Sequence, residues 1–354
     1  MHLVTATALP SPARVADPGG AAGSRGTLRV GLVQHHWRED RDELVAALDA
    51  GIALAVAEGA RVVFLPELTL SRYPAFAEPQ GVAAELAEPL VDGPTLAFAA
   101  AAARRHGVHV HASLYERADA DEDGTPYGDG LGFNTAILVD PEGRLVARTR
   151  KTHIPVTEGY VEDHYFRPGP AEGAYPVHQV PALGAALGLP TCWDEWFPEV
   201  ARLYALGGAD VLAYPTAIGS EPDHPDFDTA PLWEHVVVGH AIANGLFVVV
   251  PNRTGDEGLI RFYGSSFIAD PYGRVLARAP RDEEAVLVAD LDLDSRADWL
   301  TLFPFLTTRR PDSYAGLAAP VLTTPVPSPV PSPVPSLSTS PATAPATAAE
   351  EARA

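Results

Sequence analysis

Cysteine and lysine are almost absent from this 354-residue chain, which has one of each against 24 arginines. The single cysteine, Cys192, cannot form an internal disulfide, so its use is either packing or reactivity. The single lysine, Lys151, stands where arginine has not replaced it. A compact ammonium on a flexible stem and a planar guanidinium are not interchangeable in a tight site. A high-GC codon preference would explain the same counts equally well, so the contexts of the two residues have to decide. Long apolar runs are missing too: none reaches the roughly 18 residues that suggest a membrane span. There is no CxxC or HxxxH pair and no clustered Cys and His, which leaves a metal site without support. No glycine-rich phosphate loop of the GxGxxG or GxxxxGK type occurs. The net charge of −21 argues against nucleic acid as a partner, because phosphate binding needs a basic surface.

Hydrophobic content of 46% is that of an ordinary globular protein. The first residues, MHLVTATALPSPARVADPGG, have neither a basic start nor a sustained apolar stretch, and so do not read as a signal peptide. With no cysteine pairs, a reducing cytoplasm is the expected compartment. Residues 1–26 are rich in Pro, Ala and Gly without periodicity and read as a flexible arm. Residues 319–354 repeat proline without a hydrophobic face, which predicts an extended, disordered tail. The folded domain is then 27–318.

Within that domain, apolar strands alternate with amphipathic helices. TLRVGLVQ (27–34), VVFL (62–65) and 108–114 read as strands, and 40–58 and 96–106 as helices, a pattern of the α/β class. Two internal echoes sharpen this. AILVDPEGRLVAR (136–148) resembles SFIADPYGRVLAR (266–278), each a strand, a turn and a second strand. GARVVFLPEL (59–68) resembles GADVLAYPTA (208–217), and the two kinds of segment recur in the same order. Two similar α–β halves are therefore expected.

Three strand ends carry reactive groups. Glu67 follows the buried strand 62–65, Lys151 follows the first DPEGR hairpin, and Cys192 follows the apolar stretch 183–189. Cys192 also precedes a predicted helix over 197–206, whose N-terminus would favour thiolate and offer amides to an oxyanion. A thiol, a carboxylate and an ammonium together suffice for acyl transfer.

FLPEL around Glu67, RKTHIP around Lys151 and CWDEWFPE around Cys192 resemble the Glu-Lys-Cys motifs of the nitrilase, or carbon–nitrogen hydrolase, superfamily. The resemblance continues through GYVEDHYFRPG, YPTAIGSEP, GHAIANGLFVVVPNRTG and TTRRPDSY, in the family's order. SRY, CWDEWFPE and TAIGSEP are most similar to the branch acting on N-carbamoylputrescine. The resemblance implies a four-layer αββα sandwich of two pseudo-symmetric halves, a homo-oligomer, and no metal or organic cofactor. It also implies a small carbamoylated amine as substrate. Residue by residue, it makes Cys192 the nucleophile, Glu67 the general base, Lys151 the oxyanion partner alongside the Trp193 N–H, and Glu162 a second glutamate that positions lysine and substrate. Two departures stand beside the nucleophile: Pro190-Thr191 replaces the family's Gly-Ile, and Glu195 replaces its glutamine.

A carbamoylated diamine needs a carboxylate some distance from the sulfur. Glu221 is the first candidate for its ammonium, Asp194 and Glu195 are further ones, and Tyr73 matches an aromatic beside the substrate. Asp194 can equally cap a helix, and Tyr73 can equally be packing. His153, His235 and His240 read as structural. An acidic-ended substrate would need a guanidinium, for which Arg253 in PNRTG is available. A β-ureido acid, an ω-amide, or a non-catalytic role as an interaction subunit remain alternatives.

Overall fold

The structure, a computed structural model, describes residues 1–15, 24–121 and 123–321. In chain order the strands are β1 (His2–Ala6), β2 (Thr27–Gln34), β3 (Val62–Phe64), β4 (Glu88–Pro89), β5 (His109–Arg117), β6 (Phe133–Val139), β7 (Leu145–Arg150), β8 (Val156–Thr157), β9 (Tyr160–Val161), β10 (Val177–Val180), β11 (Ala185–Gly188), β12 (Val211–Ala213), β13 (Phe247–Val250), β14 (Thr254–Asp256), β15 (Arg261–Tyr263), β16 (Phe267–Ala269), β17 (Val275–Arg278) and β18 (Ala285–Asp292). The α-helices are α1 (Arg41–Ala57), α2 (Pro94–His106), α3 (Pro198–Leu206), α4 (Ala230–Asn244) and α5 (Asp294–Leu302). Among the described residues no helix is long and apolar enough to cross a membrane.

Two mixed sheets carry the fold. One runs β1-β18-β2-β3-β5-β6-β7 with β4 added to β5, and the other runs β10-β11-β12-β13-β16-β17. From β18 through β7 the pairings are antiparallel, parallel, parallel, antiparallel, antiparallel. From β10 through β17 the sequence of pairings is the same. Even the register shifts coincide, between Leu138 and Val139 in one hairpin and between Ile268 and Ala269 in the other. The echoes in the sequence are thus two copies of one folding unit.

Alternation along the strands builds the layers. Val62 and Phe64 face a core shared with Val211, Ala213, Phe247 and Ile268 of the opposite sheet. Val63 points the other way, against Leu48 and Ile52 of α1 and Phe98 of α2. In the second half Leu212 turns outward onto Val200 and Tyr204 of α3 and Trp233 of α4. Helix, sheet, sheet, helix is the four-layer order expected. α1 starts where Asp40 accepts from the backbone of Asp42 and Glu43, and it buries Leu44, Leu48, Ile52 and Ala55 at helical spacing. α2 begins on Pro94 and stops at Gly107, whose φ of 65° is left-handed.

The N-terminal segment differs from the expectation of a flexible arm. Residues 2–6 form β1, which pairs in parallel with β18 along five positions. Alternating His-Leu-Val-Thr-Ala was masked in the sequence by the Pro and Gly that follow. Beyond β1, Ser11 bonds the Tyr272 hydroxyl and Arg14 pairs with Asp292 and Asp298. The compact unit is Met1–Thr308, so it closes before the expected boundary at 318, and Arg309–Ala354 is a second unit. Its described part holds two short 3-10 turns, Pro311–Ser313 and Ala315–Ala318, with Arg310 paired to Asp312. The proline-rich stretch expected to be disordered lies, from residue 322 onward, outside the described residues.

Candidate active site

The ends of β3, β7 and β11 bring Glu67, Lys151 and Cys192 together. Lys151 and Glu67 are fully buried, and Glu162 and Cys192 nearly so. Lys151 Nζ donates to Glu67 Oε1 at 3.0 Å and to both oxygens of Glu162, at 3.0 and 2.7 Å. Glu67 Oε1 also accepts from Asn134 Nδ2 at 2.7 Å. Asn134 is itself held, since the Ser113 hydroxyl donates to its Oδ1 and Lys151 N–H donates to its carbonyl. Glu67 Oε2, by contrast, is buried without a hydrogen-bond partner. One oxygen of this carboxylate is fixed and the other is free to take a proton.

Cys192 sits at a left-handed φ of 39°, a region costly for a residue with a Cβ. Its N–H donates to Pro215 O at 3.0 Å, which ties the turn to the end of β12. Pro190 lies past the last residue of β11, so its missing N–H removes no ladder bond. The helix expected over 197–206 is α3, but a separate turn stands between it and the cysteine. Cys192–Trp196 is a 3-10 turn, and α3 begins only at Pro198. Thiolate is not favoured in the resting state either: burial, then Glu67, pushes the Cys192 thiol well up, with Lys151 opposing. Burial opposes the charge on Lys151, yet Glu162, Glu67 and Cys192 raise its pKa above the ordinary lysine value. Glu162 is pushed up to about 7 by burial, against the pull of Lys151.

The sulfur opens onto a cavity of about 420 Å³. Glu162 and Cys192 lie at its buried end, Trp193, Trp196, Ile218 and Phe227 line it, and Glu221, Asp223 and His224 sit where exposure rises. Of the residues expected to touch substrate, Trp193 and Glu221 are there. Glu221 is half-buried, accepts from the Thr229 hydroxyl at 3.2 Å, and is pushed up by burial.

Tyr73, Asp194 and Glu195 do not line this cavity. Tyr73 is fully buried and its hydroxyl donates to Glu162 Oε1 at 2.9 Å, so it acts on the carboxylate. Asp194 accepts from Thr191 N–H at 3.1 Å and from His153 N–H at 3.0 Å, and pairs with His153 Nδ1 at 2.7 Å. Glu195 is buried behind the turn, where Trp233 Nε1 donates to it at 2.6 Å and burial pushes its carboxyl well up. Short acidic side chains beside a nucleophile look like substrate contacts in a sequence; the turn points them into the protein. His153 stacks on Phe197, and the His240 ring bonds the Glu195 carbonyl. Arg253 is fully buried and committed to other protein groups. Among the described residues no group of His, Cys, Asp and Glu is placed to hold a metal ion. Asn134 was missed. Its only signal is a polar pair, Asn134-Thr135, inside the otherwise apolar strand FNTAILV.

The carbon–nitrogen hydrolase family model matches residues 29–300. The chain belongs to this family. It is an amidohydrolase of the nitrilase superfamily, with that superfamily's α/β fold of two mixed sheets flanked by helices. It is 36% identical over 82% of its length to an N-carbamoylputrescine amidase of Arabidopsis thaliana, 95% of which is covered. It is 35% identical over 81% of its length to a citrullinase of Francisella tularensis, 96% of which is covered. A carbon–nitrogen hydrolase from Helicobacter pylori superposes with a TM-score of 0.73 at 33% identity, covering 82% of this chain and 98% of that one. An amidase from Nesterenkonia sp., whose active-site cysteine has added acrylamide, superposes with a TM-score of 0.63 at 26% identity, covering 80% and 97%.

Proposed function

We propose that this hydrolase cleaves the carbamoyl group from a linear N-carbamoyl amine with a cationic far end, N-carbamoylputrescine being the substrate, to give putrescine, CO2 and ammonia. The supporting observation is the cavity itself: a thiol at the buried end, carboxylates Glu221 and Asp223 toward the exposed end, and no arginine or lysine among the residues described as lining it. An ammonium placed against Glu221 offsets the cost of that half-buried carboxylate. Citrulline carries a carboxylate beside its amine and needs a guanidinium there, and Arg253 has none to give.

Glu67 Oε2 takes the Cys192 proton as sulfur attacks the carbamoyl carbon. Lys151 Nζ and the Trp193 N–H, in the first turn where a helix leaves amides unpaired, stabilise the oxyanion. Glu67 then gives its proton to the departing amine nitrogen, which leaves a carbamoyl-thioester. Glu67 next deprotonates water, whose oxygen attacks the thioester. Sulfur leaves and recovers a proton, and the released carbamic acid breaks down to CO2 and ammonia.

Ammonia release from N-carbamoylputrescine, citrulline and 3-ureidopropionate tests this. Wild type is expected to turn over the putrescine compound best, and Cys192→Ala none of them. Activity persisting in Cys192→Ala would falsify the mechanism, and preference for citrulline the substrate. Glu221→Gln is expected to weaken the cationic substrate more than a neutral amide.

A further inference from the structure

Arg253, the residue available in the sequence to anchor an acidic substrate, is used on the opposite side of the site. It follows β13, is fully buried, and belongs to the second half of the fold, yet most of its donors reach the first. Its Nε and Nη2 donate to the Glu67 carbonyl at 3.2 and 3.1 Å, and Nη2 also reaches the carbonyls of Leu68 and Ser71. Nη1 pairs with Glu257 Oε1 at 2.7 Å. The other oxygen of Glu257 accepts from Tyr73 N–H at 3.1 Å, and the Glu257 carbonyl accepts from Arg72.

This one ion pair therefore holds the loop 67–73 at both ends. Glu67, with its free oxygen, is at one end, and Leu68 beside it has a left-handed φ of 49° that its side chain disfavours. At the other end is Tyr73, whose hydroxyl bonds the Glu162 that holds Lys151. Phe262 packs edge-on against Tyr73 and under the Arg253 guanidinium, so the ring and the cation share one wall. A buried ion pair is often no better for stability than apolar packing of the same volume, so stability alone does not account for this one.

We infer that the Arg253–Glu257 pair is the positioning device for Glu67, acting through the backbone of the loop that it holds at both ends. The inference rests on the reading of Glu67 as the base. A planar fork is required because several carbonyls must be met at once, which lysine cannot do.

Steady-state kinetics on N-carbamoylputrescine for Arg253→Lys, Glu257→Gln, Glu67→Gln and the double variant Arg253→Lys/Glu67→Gln test it. Arg253→Lys is expected to lower kcat about a hundredfold, the scale of a misplaced catalytic group, while KM stays within about threefold. Added to Glu67→Gln, it should lower kcat by no more than about threefold further. A wild-type kcat in Arg253→Lys, or a full multiplicative loss in the double variant, overturns the inference. If Arg253→Lys does not fold by circular dichroism, the same kcat loss at unchanged KM is required of Glu257→Gln. A Glu67→Gln enzyme at wild-type rate overturns the base assignment instead, which separates the two failures.

Discussion

The carboxylates around Cys192 outnumber the one ammonium that faces them. Glu67, Glu195 and Glu162 raise the pKa of the thiol, and Lys151 lowers it. Burial acts on these carboxylates: it pushes Glu195 well up, with the Trp233 N–H opposing, and pushes Glu162 up to about 7. For Glu162 the sign of the linkage is definite. Its folded pKa lies above the ordinary 4.5, so its contribution to stability is fully present below 4.5 and is lost as pH rises toward 7. Glu162→Gln is expected to remove this loss. Melting temperature measured from pH 4 to pH 8 should fall less steeply in the variant than in wild type, and parallel curves would contradict the assignment. At this scale the sequence marked Cys192, Lys151, Glu67 and Glu162. It did not show which carboxylate oxygen is free, because that depends on Asn134 arriving from β6, antiparallel to the strand beside it.

Short elements do most of the positioning. The turn Cys192–Trp196 is closed by Asp194, which accepts from the Thr191 N–H, and the same carboxylate accepts from the segment following Lys151. Asp194 therefore joins the nucleophile's turn to the lysine's strand end. Removing it leaves the amides of Thr191 and His153 without their acceptor. Asp194→Ala is expected to cost about 2 kcal/mol in urea denaturation, the scale of buried unsatisfied donors, and to lower kcat as well. Stability within about 0.5 kcal/mol of wild type would assign Asp194 a surface role. Strand and helix positions were legible because Asp40, Pro94, Gly107 and the two DP-x-G turns are local signals. The start of α3 at Pro198 was legible to within a residue; the 3-10 turn Cys192–Trp196 was not, because its acceptors, such as Pro215 for the Cys192 N–H, come from distant strands.

Across the whole compact unit, the two halves are alike in strand order but not in chemistry. Glu67 and its counterpart Thr216 follow equivalent strands, β3 and β12, so the second half keeps the frame and lacks the base. The site exists only because the sheets pack face to face, bringing β11 of one half toward β3 and β7 of the other. At the sheet margin, β1 covers β18, whose residues 285–289 are fully buried. An uncovered edge of this kind is a template for another strand. Deleting residues 2–14 is expected to lower the melting temperature and increase the apparent mass in light scattering; an unchanged, monodisperse sample would show that β1 is dispensable.

The sequence by itself determined the class of fold, its repetition and the reactive set, since periodicity, turn residues and motif strings are written locally along the chain. Only the tertiary structure decided that Tyr73, Asp194, Glu195 and Arg253 serve other protein groups instead of lining the cavity. Whether a polar side chain meets a ligand or a backbone carbonyl depends on what packs against it, and those partners lie as far as 186 residues away.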